Sequence, residues 1–237
     1  MSGGTRVLVA CMPKSGSTYF SGAIAALPGF HRAHLVPGYG HREQELCVEK
    51  LREHDRIAGP EGSYVAQHHV RCSDVTRAYL EQFGIRTIVL VRNIFDVVPS
   101  LVDHHRLEGT VYPAAHAPPD IASRSFEEQA RFVVQMALPW YVSFYVSWAS
   151  CPGVKVVAYE EWIAEPVAVL RACCGYLGLD TTTEISAAAV HAASSAGVRR
   201  NKVVPGRGRD LPEDCLKAIH NMRAHYPEID FSRIGIA

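Results

Sequence analysis

Residues 7–18, VLVACMPKSGST, run from an unbroken apolar stretch straight into a proline, a lysine and a glycine set between serines and a threonine. So short an apolar run reads as a buried strand, and the Gly/Ser cluster behind it as a tight turn opening a helix. A turn of this kind presents successive backbone N–H groups at the positive end of a helix dipole, which makes it a natural anion cradle. Lys14 adds a mobile positive charge, and Ser17 and Thr18 add hydroxyl donors. The spacing excludes a nucleotide-triphosphate loop, which needs G-x-x-x-x-G-K-[ST]. The position five before Gly16 is Cys11, and Ser17 stands where the lysine belongs. The same residues also fit a plain strand-turn-helix connection carrying a surface lysine.

The remaining pattern is that of an α/β chain. Apolar runs at 6–11, 64–67, 87–91 and 154–159 alternate with helical stretches at 18–27, 43–54, 73–83, 96–105, 125–150, 165–177, 183–193 and 212–224. Pro139 is expected to kink or divide the aromatic stretch 125–150. Short Val/Ile-rich strands alternating with helices predict one domain, residues 1–237, built on a central, mostly parallel sheet flanked by helices. Two loops stand apart. Residues 109–123 are proline-rich and long enough to act as a lid. Residues 194–211 concentrate Arg199, Arg200, Lys202, Arg207 and Arg209.

Composition limits the partners. The chain is 237 residues long, 48% hydrophobic and 20% charged, with formal net charge +0. No global field favours nucleic acid or an anionic membrane, so an anion site must be local. No apolar stretch approaches the ~20 residues of a membrane span, and the apolar run at the start is too short for a signal peptide. With seven irregularly spaced cysteines, the reading is a cytoplasmic protein. Neither C-x-x-C nor H-E-x-x-H occurs, so no metal is expected.

A second constellation is RTIVLVRNIFDVVPSLVDHH, residues 86–105. Arg92 lies just past a buried strand, at the edge where open α/β sheets bind ligands. Asp96 is a candidate cap for the next helix. Ser100 follows Arg92 by about two helical turns, so the two side chains can close on one phosphate. An Arg in a local ion pair and a helix Ser bonded to its own backbone fit equally well.

Taken together, the two segments resemble the sulfotransferase family, enzymes that use 3′-phosphoadenosine 5′-phosphosulfate (PAPS). Pro13-Lys14-Ser15-Gly16-Ser17-Thr18 is similar to that family's 5′-phosphosulfate loop, P-K-S-G-T-T, and Arg92-Asn93 with Asp96 and Ser100 to its 3′-phosphate motif, R-N-P-x-D-x-x-x-S. Tyr159-Glu160-Glu161, Pro166 and Tyr176-Leu177-Gly178 resemble the Y-E-D…P…F-L-G segment, and residues 201–207, NKVVPGR, the late R-K-G-x-x-G or N-K-G-x-S-G-R loop. Val203 stands where both forms have Gly, and Asn201 where the first has Arg. Four segments in order cover nearly the whole chain.

The resemblance implies a P-loop-like sulfotransferase fold and roles for particular residues. Lys14, Ser15, Gly16, Ser17 and Thr18 would hold the phosphosulfate. Arg92 and Ser100 would hold the 3′-phosphate, completed by Arg199, Arg200 and Lys202, and Tyr159 would lie beside the adenine. Lys14 would neutralise charge on the bridging oxygen as the S–O bond breaks. The family's catalytic histidine aligns best with His68, in YVAQHHV. Adjacent strand residues face opposite ways, so His68 and His69 should not both reach the sulfur. His104 and His105 are placed to line the acceptor pocket.

The implied reaction is in-line sulfuryl transfer to a hydroxyl of a small molecule, glycan or lipid, without metal, nucleic acid or an integral membrane segment; a homodimer is compatible with it. Two rivals stand beside it: a P-loop-like small-molecule kinase, disfavoured by the displaced lysine, and a non-catalytic adenine-nucleotide binder of the same fold.

Overall fold

The computed structural model describes residues 4–38, 44–109, 111–195 and 205–236. In chain order, β1 (Arg6–Cys11) leads to α1 (Ser17–Ala25), β2 (Phe30–Ala33), α2 (Val48–Ala58), β3 (Ser63–His68), α3 (Asp74–Gln82), β4 (Ile85–Val91) and α4 (Ile94–Leu107). A short hairpin, β5 (Val111–Tyr112) and β6 (Ala115–His116), precedes α5 (Phe126–Phe132), a π-helical segment at 133–137 and α6 (Leu138–Ala149). Then come β7 (Lys155–Ala158), α7 (Tyr159–Ala164), α8 (Pro166–Leu177), α9 (Thr183–Ser195) and α10 (Glu213–Met222).

Five strands form one sheet in the order β2-β3-β1-β4-β7, and every pairing in it is parallel. That matches the expected fold class and is explained by the residues of β1. Leu8 and Ala10, with Met12 just past the strand, join the core on one face, while Val7, Val9 and Cys11 join the core on the other. A strand covered on both faces reads as a continuous apolar run, as 6–11 does. From β1 the chain moves outward to β2, returns through β3 beside β1, and then crosses to β4 on the other side. The order therefore reverses at β1, and a crevice opens beyond the carboxyl ends of the strands at such a reversal.

The structure departs from the sequence expectations in three places. β2 reads FHRA, polar and partly exposed at the sheet edge, so it carries no apolar signature. α2 starts at Val48, five residues later than expected. Tyr159 begins α7 instead of ending β7. The stretch 125–150 is divided at Pro139 as expected: Pro139 stands in the first turn of α6, directly after the π-helical segment that separates α5 from α6.

Candidate functional site

The turn after β1 is held from behind by three side chains on three consecutive carbonyls. Ser15 Oγ donates to the Met12 carbonyl (2.6 Å), Tyr141 Oη to Pro13 (3.3 Å) and Arg92 Nη1 to Lys14 (2.8 Å). Lys14 has φ 63°, and among the described residues it is the one non-glycine in the left-handed region. That conformation costs about 1–2 kcal/mol in an L-residue, and the Arg92 bond to its carbonyl helps to offset it. Gly16, φ 71°, caps α1 without a side-chain bond. The first N–H groups of α1 have no intrahelical acceptor and stand at the positive pole of its dipole. Gln67 braces the same helix, donating from Nε2 to Ser17 Oγ (3.0 Å) and accepting from Ser21 Oγ at Oε1 (3.2 Å).

Four segments far apart in sequence meet here. Arg92 is 4% exposed, lies 3.4 Å from Ser100 Oγ, and stacks its guanidinium over Tyr159 at 4.5 Å from the ring centre. Tyr159 also presses on Gly16, where an added Cβ would lie 2.8 Å from two ring carbons. Glu160 accepts the Asn93 N–H (3.1 Å), joining the start of α7 to the segment after β4. Asp96 is not the cap of α4; Asn93 is, accepting the Phe95 N–H. Asp96 instead receives the N–H groups of Gly206 and Gly208, both at 2.8 Å, and Arg207 pairs with Asp103 at 2.8 Å. At Gly208 an added Cβ would fall 2.5 Å from Phe95 Cβ, so only glycine lets the backbone approach α4 this closely. Arg199, Arg200 and Lys202 lie outside the described residues; the segment just after them is fixed on α4.

Arg92 Nε is buried without a hydrogen-bond partner. A desolvated guanidinium N–H left this way is costly, and an anionic oxygen, of a phosphate or a carboxylate, is the acceptor that suits it. Lys14 Nζ pairs with Glu108 Oε1 at 3.0 Å, and His104 Nδ1 lies 3.4 Å from Glu108 Oε2.

The two histidines at the end of β3, His68 its last residue and His69 the next, differ sharply. His68 is 1% exposed. Its Nε2 accepts the Leu35 N–H (2.9 Å), its Nδ1 is buried without a partner, and the His34 ring lies at 4.9 Å. Burial, reinforced by His34, His69 and His54, pushes its pKa from 6.5 down to about 3. With its one lone pair committed to the main chain and its ring shut away, His68 is poorly built for the base role expected of it. His69 is only partly buried. Its Nδ1 lies 2.8 Å from the Cys11 carbonyl, and since a carbonyl only accepts, Nδ1 carries the proton and Nε2 keeps its lone pair. Burial works against the His69 cation, but its contacts with Cys11 outweigh that and raise its pKa. Gln44 Oε1 fixes the His69 main chain from the other side (2.9 Å).

His105 does not line an open pocket. It is 3% exposed, with Nδ1 3.2 Å from Gln129 Oε1 and Nε2 3.1 Å from Tyr112 Oη. The residues missed by sequence reasoning are Tyr141, Gln67 and Glu108. Tyr141 is 128 positions from Pro13 and sits in an aromatic run, so nothing local marks it. Among the described residues no cluster of His, Cys, Asp and Glu could hold a metal ion.

No protein-family model and no curated protein sequence matches the chain. Solved structures do. Mouse sulfotransferase SULT7A1 complexed with PAP is similar over 97% of this chain and 86% of that one, at TM-score 0.69 and 16% identity. Retinol dehydratase in complex with androsterone and inactive cofactor PAP matches over 95% and 81%, at TM-score 0.61 and 17% identity. A sulfotransferase from Alicyclobacillus acidocaldarius matches over 97% and 94%, at TM-score 0.52 and 15% identity. The chain thus has the fold of the sulfotransferases, as its four segments imply.

Proposed function

We propose that residues 1–237 form one sulfotransferase domain that moves the sulfuryl group of PAPS to a hydroxyl of a small-molecule, glycan or lipid acceptor. The observation that carries this reading is the pairwise bonding of four separated segments at one sheet edge: Arg92 to Lys14, Tyr159 to Arg92 and Gly16, Glu160 to Asn93, and Asp96 to Gly206 and Gly208. They are the segments that resemble the family's nucleotide motifs, in a chain with that family's fold.

In this reading the 5′ end of the donor sits on the amides of Ser15 to Thr18, with Lys14 beside it. Arg92 and Ser100 serve the 3′-phosphate, the orphaned Arg92 Nε taking one of its oxygens, together with Arg199, Arg200 and Lys202. Tyr159 flanks the adenine. The base moves from His68 to its neighbour. His69 Nε2 takes the acceptor's hydroxyl proton, the freed oxygen forms its bond to sulfur, and the bond between sulfur and the bridging oxygen breaks. The electron pair passes to the 5′-phosphate, where Lys14 and the turn's amides meet the new charge. Such preorganised donors are worth about 3–4 kcal/mol each. A histidine oriented by a backbone carbonyl suits proton abstraction near neutral pH. The kinase reading would want an acidic residue closing β4, where Val91 and Arg92 stand.

A cytoplasmic placement goes with the odd number and irregular spacing of the seven cysteines. Among the described residues no helix is long and apolar enough to cross a membrane. The test is sulfate transfer from radiolabelled PAPS to a panel of hydroxylated metabolites, glycans and lipid headgroups. Label should pass to at least one class of acceptor; phosphate transfer from ATP–Mg²⁺ instead would overturn the assignment.

A further inference from the structure

Glu108 stands where local energetics disfavour it. It is the C-terminal cap residue of α4, and a carboxylate there faces the negative pole of the helix dipole. Its partner is 94 residues away in sequence: Lys14 Nζ, at 3.0 Å. Both side chains are largely covered, 17% exposed for Lys14 and 29% for Glu108, so the pair is less screened than a surface pair. On the other side His104 Nδ1, one turn earlier on α4, lies 3.4 Å from the second carboxylate oxygen. The carboxylate is therefore held between two groups, and one of them is the cation of the phosphate turn.

We infer that Glu108 is a positioning residue for the reaction proposed above: it holds the Lys14 ammonium until the donor arrives and competes with the 5′ end of the nucleotide for that ammonium. The inference rests on the sulfotransferase reading. A 5′-phosphosulfate or 5′-phosphate seated on the turn places its anionic oxygens in reach of Lys14, and the carboxylate 3.0 Å from the same ammonium repels them. Each nucleotide that binds must draw Lys14 away from Glu108, and each that leaves returns it. The pair thus weakens the hold on the bisphosphate product and restores the lysine to one fixed place in the empty site. Glu108 is also next to Gly109, whose N–H donates to the His104 carbonyl at 3.0 Å. The pairing therefore ties the phosphate turn to the start of the proline-rich loop.

The test compares two ligands by titration calorimetry on the wild type and Glu108→Gln. Adenosine 3′,5′-bisphosphate carries the 5′ group that Glu108 opposes, and adenosine 3′-monophosphate lacks it. The expected result is about three- to tenfold tighter bisphosphate binding in Glu108→Gln, the range of one partly screened charge contact, with 3′-monophosphate affinity unchanged. Glu108→Asp should return bisphosphate affinity toward that of the wild type. Equal or weaker bisphosphate binding in Glu108→Gln overturns this inference alone. So does a parallel change for both ligands, which would mark a structural role. Failure of the wild type to bind the bisphosphate at all overturns the sulfotransferase reading as well.

Discussion

The two edges of the parallel sheet both carry arginines and tyrosines, yet they treat them differently. At the amino edge a cavity of about 760 Å³ lies between α3, the start of β4 and the turn before β7, lined by Arg77, Arg86, Cys151 and Tyr176 among others. Its charged groups answer their own neighbours. Arg77 pairs with Asp74 one turn away, Arg86 lies over Tyr176 at 4.7 Å, and the Tyr176 hydroxyl reaches the carbonyls of Thr87 and Gly153. Both edges hold a buried polar atom without a partner, Thr87 Oγ1 beside the cavity and Arg92 Nε at the carboxyl edge, but the left-handed residues of the cavity, Gly84 and Gly153, are glycines, whereas at the carboxyl edge the non-glycine Lys14 takes that backbone next to Gly16. Histidines follow in adjacent positions with opposite environments. Strain and unmet hydrogen bonds persist only where the surroundings over-determine them, and they gather at sites of function. Convergence of this kind, more than open volume, is the ground on which we propose the carboxyl edge as the site.

The sharpest way to break the contrast is at His69. His69→Ala should lower kcat by about 10²–10⁴-fold, the usual contribution of a positioned base, with bisphosphate affinity kept; steady-state turnover with labelled donor reads it. Unchanged kcat would return the base role to another group.

His68 should show itself in stability. Its folded pKa, about 3, lies below the ordinary 6.5. The unfolded chain therefore binds a proton that the folded chain refuses, and stability falls as pH drops from 6.5 toward 3. The loss from this one group is at most about 5 kcal/mol. Thermal unfolding across that window should show a shallower acid decline in His68→Asn than in the wild type. Parallel curves would mean that His68 is charged or exposed in the fold.

The smallest effect belongs to the amino edge. Arg86→Ala should leave bisphosphate affinity unchanged and cost about 0.5–1 kcal/mol of stability, the worth of an exposed cation–π contact. Loss of nucleotide binding in that variant would relocate the site.

How much of this was legible in sequence follows from physical range. The strands buried on both faces announced themselves as apolar runs, and the turn after β1 was readable as a candidate anion cradle because Lys14 through Thr18 are contiguous. Arg92 and Ser100 were readable because helical spacing joins them. β2, with its polar FHRA, had no periodic signal. Asp96 looked like a cap because nothing local says that Gly206 and Gly208 return to it. Tyr141 behind Pro13, and Glu108 beside Lys14, are products of chain crossing alone. The choice between His68 and His69 turned on which side of the strand end each faces, and that depends on where β3 stops.

The central claim is that the carboxyl edge grips one nucleotide by both phosphorylated arms. It is tested most directly by thermal unfolding of the wild type with adenosine 3′,5′-bisphosphate against ATP–Mg²⁺. Stabilisation by the bisphosphate, about 2.7 kcal/mol at a hundred times its Kd, with little response to ATP–Mg²⁺, is the predicted result. Stabilisation by ATP–Mg²⁺ with none from the bisphosphate would contradict it.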